Sequence, residues 1–136
     1  MVVKDKKIVM GLSQCAFETL SWIRFIEFLT QENSHLKNRL SEVIDQIKDR
    51  QSLAMAEHFQ NQFIIKDDVY DHLLYDLRNQ KQKWERLSHE NKVLNQELKK
   101  NHLQLKDQIE FVKRDHQVME SDFNSYISEV IHNNHC

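Results

Sequence analysis

Proline is absent from this chain, and glycine occurs once, at Gly11. At average usage, 136 residues would carry roughly 16 of the two together. Tight turns, hairpin loops and most helix C-caps rely on these residues, so a strand-and-turn architecture is excluded and few helix stops are available. Two cysteines, Cys15 and Cys136, do not make a disulfide framework, and the expected setting is reducing and cytoplasmic. The longest apolar stretch, Leu12 to Leu29, is interrupted by Glu18, Arg24 and Glu27, too often for a membrane span of about 20 mostly apolar residues. The charge has no dominant sign: 19 basic and 21 acidic residues are interspersed, which removes the global field that grips phosphate backbones. A nucleic-acid partner is therefore not expected.

What remains is a chain with 40% hydrophobic and 29% charged residues, suited to folding rather than disorder. Its apolar residues recur at helical spacing. The expected fold is all-α, a long antiparallel helical hairpin or coiled coil that assembles into an oligomeric bundle. Residues 1–12 lack helical periodicity and read as an extended or flexible N-terminal arm. Lys4, Lys6 and Lys7 before a short apolar run only faintly imitate an export signal, because the run is too short and Gln14 is a poor cleavage position.

Ser13 is then a plausible N-cap for a first helix. Trp22, Ile26, Leu29, Asn33, Leu36, Leu40, Val43 and Ile47 alternate spacings of four and three, the a/d pattern of a packing seam. The seam is lost around Asp49 to Ser52, where a kink or short turn is expected before a second helix carrying Ala56, Phe59 and Phe63. Together these two helices occupy 13–66. Asp68 with Asp71 resembles a capping box and marks the expected main reversal near Lys66 to Asp68. A long third helix is expected over 67–131, on a seam from Val69 through Gln80, Trp84, Asn91 and Leu105 to Phe123, with a possible break at 99–102. Residues 132–136 form a frayed tail. The whole is expected to be a single domain.

A reversal at Asp67 would lay residue i opposite a residue near 134 minus i. Leu36 would then meet Leu98, Leu40 would meet Leu94, and Asn33 would meet Asn101 as a buried, register-setting amide pair. A two-helix hairpin has little interior, which favours a homo-oligomer, a dimer first, and a protein partner. The expected contact surface is aromatic and dense: Phe17, Leu20, Trp22, Ile23, Phe25, Ile26 and Phe28 at one end of the hairpin, with Phe123, Tyr126, Ile127 and Val130 beside them.

Groups that carry chemistry are sparse. Two Glu-x-x-His strings, Glu32 with His35 and Glu129 with His132, have the spacing used in metal-binding bundles, but two is close to chance for this composition, and their helical positions face away from the seams. His132, His135 and Cys136 are soft-metal donors on a mobile tail without an orienting shell. His116 lies on a seam and reads as a hydrogen-bonded core histidine. Arg78, Lys81, Lys83 and Arg86 are diluted by Glu85 and Glu90 and read as a solvated face. No nucleophile has an evident base, and no cofactor, metal or catalytic residue is assigned. The expected function is that of a non-enzymatic, self-associating structural or adaptor subunit. The alternatives are a metal- or small-ligand-binding bundle and a nucleic-acid-associated coiled coil.

Overall fold

A computed structural model describes the backbone of residues 2–90 and 94–135, and the side chains of 11–90 and 94–133. Three helices follow one another, α1 (Val2–Val43), α2 (Arg50–His89) and α3 (Gln96–His135), with a short 3-10 turn at Ile44–Gln46 and no strand among the described residues. The all-α expectation therefore holds. No helix among them is long and apolar enough to cross a membrane.

The helix boundaries differ from those expected. Residues 2–12 continue α1 rather than forming an arm. Gly11, the one residue there that disfavours a helix, costs only about 1 kcal/mol relative to Ala. A Cβ at this glycine would meet nothing within 4 Å, so packing does not require its bareness. The main reversal expected near Lys66 to Asp68 does not occur, because α2 runs unbroken through it. The paired β-branched Ile64 and Ile65 lower helix propensity by only a few tenths of a kcal/mol each, too little to end a helix in a good pattern.

The chain leaves α1 where the first seam fades. Ile47 is extended, with φ −83° and ψ 119°. Asp49 then caps α2, its Oδ2 accepting the Ser52 amide at 2.9 Å, within the stretch where a kink or short turn is expected. This hydrogen bond from the Ser52 backbone holds the Asp49 carboxyl below the usual carboxylate range. Asn95 plays the same part for α3, accepting the Leu98 amide at 2.8 Å. The break expected at 99–102 thus falls before Gln96; Asn91, read as a seam position, lies outside the described residues.

The chain divides into two compact units rather than one. Unit 1 comprises Met1–Glu27 and His72–Val112, and unit 2 comprises Phe28–Asp71 and Lys113–Cys136. Three helical segments meet in each. In unit 1, Leu12, Cys15 and Trp84 form a cluster with Ala16, Leu87, Leu94 and Leu98 packed against it. In unit 2 the cluster is larger: Leu36, Leu40 and Ile47 from the first segment and its turn, Ala56, Phe59 and Phe63 from α2, and Met119, Phe123, Tyr126, Ile127 and Val130 from α3. Leu36 and Leu40 thus pack in one unit and their expected partners Leu98 and Leu94 in the other. An antiparallel heptad pairing matches by construction, so the pattern alone could not reject the hairpin.

Phe123 is fully buried, with its ring edge-on to Phe59 at 5.2 Å and to Phe63 at 5.2 Å. Such edge-to-face pairs stabilise beyond the area they bury. Phe123→Ala is expected to lower unfolding free energy by about 3 to 5 kcal/mol, measured by urea titration followed by circular dichroism.

Candidate functional site

Each unit encloses a cluster of polar side chains at positions where heptad logic calls for apolar ones. In unit 1, α3 carries His102 inward, 4% exposed, stacked on Trp22 at 4.7 Å between ring centroids and met edge-on by Trp84 at 5.8 Å. Neither ring nitrogen has a hydrogen bond among the described residues. The nearest charge is Glu18, with Oε1 at 3.6 Å from Nε2. Burial pushes the imidazole below its ordinary value, Glu18 opposes this, and Lys106 adds a little to the lowering.

A short hydrogen-bonded chain lies alongside. The Trp84 indole N–H donates to Thr19 Oγ1 at 2.9 Å, and Thr19 donates to the Cys15 carbonyl at 2.8 Å. This satisfies two buried polar groups on neighbouring helices. The Cys15 thiol is pushed up by burial and by Glu18, while Lys99 opposes the rise. The Cys15 side chain packs with Leu12 and Trp84 in the unit 1 cluster.

In unit 2 the polar groups form a longer series. Asn33, fully buried, donates through Nδ2 to the Phe63 carbonyl at 2.8 Å and to Asp67 Oδ1 at 2.7 Å. Lys37 pairs with the other oxygen of Asp67, and Lys66 pairs with Asp115 on α3. Tyr70 and His116 share a hydrogen bond at 2.8 Å between the phenol and Nδ1, and His116 Nε2 faces Glu120 at 3.4 Å. Burial first, then Asp115 and Asp67, drive the Tyr70 phenol far above its ordinary value. It stays protonated at any physiological pH and so can donate to Nδ1.

The residues expected at the contact surface separate into three groups. Phe17 and Phe28 are 72% and 53% exposed, while Leu20, Trp22 and Phe25 are half-buried. Ile23, Ile26, Phe123, Tyr126, Ile127 and Val130 are buried, the last four in unit 2's own core. These are corrections, and their cause is the misplaced reversal. With α2 starting at Arg50, its Ala56, Phe59 and Phe63 cover the C-terminal half of α3. Phe17 to Ile26 also belong to unit 1, whereas Phe28 and the C-terminal aromatics belong to unit 2. The two residues of the expected register pair belong to different units. Asn33 is engaged by Phe63 and Asp67 in unit 2, and Asn101 lines a groove in unit 1.

His35, Glu129 and His132 are exposed and Glu32 is half-buried. Among the described residues no set of three or more His, Cys, Asp or Glu side chains is placed to hold a metal. The side chains of His135 and Cys136 lie outside the described residues.

Sequence reading anticipated His116 as a hydrogen-bonded core histidine but missed His102, Thr19 and Tyr70. The expected seam passes through Val69, which is exposed, while its neighbour Tyr70 is fully buried. A phenol whose hydroxyl finds a partner inside outranks a smaller aliphatic for the core position. His102 sat in the stretch read as a break. No protein-family model, curated protein or solved structure matches the chain.

Two expectations follow from these clusters. Asn33→Ala leaves Asp67 short of a donor in a partly buried site and is expected to cost about 1 to 3 kcal/mol of stability by urea unfolding. For His102 the folded state resists the proton that the unfolded chain takes up below about 6.5. Stability should therefore fall as pH drops from about 6.5 toward the lowered folded value, then level off. His102→Leu should flatten that part of the profile in thermal unfolding midpoints taken between pH 7 and 5, relative to wild type.

Proposed function

We propose that this chain is a non-enzymatic, self-associating coiled-coil protein that acts as a structural or adaptor subunit through protein–protein contacts. The observation that carries this reading is the exposure of Phe17 and Phe28, one in each unit, on a helix whose other face is buried by Leu12, Cys15, Ile23, Ile26 and Leu29. Phenylalanine is among the residues most often enclosed, and interface cores are enriched in it. Phe111 on α3, 64% exposed, adds a third such ring. Helices joined by short connections offer extensive surface and few loops, and loops are where catalytic groups are disproportionately found. The same reading places the protein in a reducing cytoplasmic compartment, where Cys15 stays a thiol.

Light scattering after size exclusion tests the proposal. The wild-type chain is expected at a multiple of 16.5 kDa, and Phe17→Asp or Phe28→Asp at a mass shifted toward that value. Both side chains are exposed, so neither substitution should alter helix content. A wild-type mass of 16.5 kDa at every concentration overturns the reading, and an unchanged oligomer in both variants overturns the assignment of its contact to the exposed phenylalanines.

A further inference from the structure

Between α2 and α3 in unit 1 lies an open groove of about 250 Å³ whose lining is mostly polar, with Leu105 as its apolar member. From α2 it is lined by Asp76, Gln80 and Lys83, and from α3 by Asn101, Gln104 and Gln108. Gln80 is the anomaly. It occupies a seam position, is only 6% exposed, and its Oε1 has no hydrogen-bond partner among the described residues. A buried acceptor left unmade is costly, and native structures keep few of them. Rotation about the last side-chain bond of Gln80 would present either face of its amide to a group seated in the groove.

The distribution of charge on this face is ordered. Asp76 and Lys83 lie seven residues apart, about 10.5 Å along the helix, on either side of Gln80. Between them the groove carries carboxamides, each both a donor and an acceptor. A face built this way is complementary to itself when turned end for end. We infer that two copies of the chain pair across this groove antiparallel about a twofold axis near Gln80, so that Asp76 of each copy meets Lys83 of the other. A parallel pairing would set Asp76 against Asp76 and Lys83 against Lys83, which is repulsive. The inference rests on the self-association proposed above and names a surface for it that is independent of the exposed phenylalanines.

Charge reversal tests the pairing, with sedimentation equilibrium on the full chain as the readout. Asp76→Lys and Lys83→Asp, both at exposed positions, should each weaken self-association about tenfold by juxtaposing like charges, with circular dichroism unchanged. Mixing the two single variants should restore association to near the wild-type level, because each then supplies the charge the other lacks. The double variant should do the same by itself. Singles that associate like wild type overturn the groove pairing, and so do singles whose defect neither the mixture nor the double variant repairs. If that happens while Phe17→Asp and Phe28→Asp still dissociate the oligomer, self-association stands and only this surface is wrong. A wild-type chain that is monomeric throughout removes both.

Discussion

The packing of Phe59 and Phe63 against Phe123 fixes where α2 must begin, and the Asp49 carboxylate, by accepting the Ser52 amide, caps the helix at that position. Starting at Arg50 sets Ala56, Phe59 and Phe63 on one stripe, against Leu36 and Leu40 on one side and Phe123 and Tyr126 on the other. The turn itself is tied down twice. Ile47 is buried in the same cluster, and the Tyr126 hydroxyl donates to the Ser52 carbonyl at 2.7 Å, joining α3 to the first turn of α2. Asn95 does the equivalent work for α3 in unit 1. In a chain without proline, and with its one glycine elsewhere, helix starts made by short polar side chains define the connections.

Buried polar groups then limit which register these helices can take. Apolar heptads tolerate slippage, since leucine on leucine looks much the same one heptad along. A buried Asn33 does not, because its amide must reach both the Phe63 carbonyl and Asp67. Tyr70 with His116 and Trp84 with Thr19 impose the same kind of condition, one in each unit. Groups of this sort contribute little net stability compared with apolar packing, and their value lies in penalising the alternatives.

Much of the fold class was legible in the sequence, because the period of the apolar residues and the missing helix breakers are local properties. The weakening of the seam near Asp49 was legible too. What sequence reading could not rank was that weak spot against the acidic pair Asp68 and Asp71, a good cap sequence that α2 runs straight through. Caps change helix stability by about 1 kcal/mol, whereas burying Phe59 and Phe63 is worth several, so tertiary packing chose the turn. The candidate surface inherited the same error: Phe17 and Phe28 were read as available and are exposed, but Phe123 and Val130 are covered by a helix segment that the hairpin placed elsewhere.

Both tryptophans of the chain, Trp22 and Trp84, lie in unit 1, and both touch His102. Unit 2 has none. Indole emission therefore reports the integrity of one unit alone, while far-ultraviolet dichroism sums the helices of both. The molecule carries its own pair of independent optical readouts, and the coincidence or divergence of their unfolding curves measures whether the two units melt as one cooperative body or in sequence.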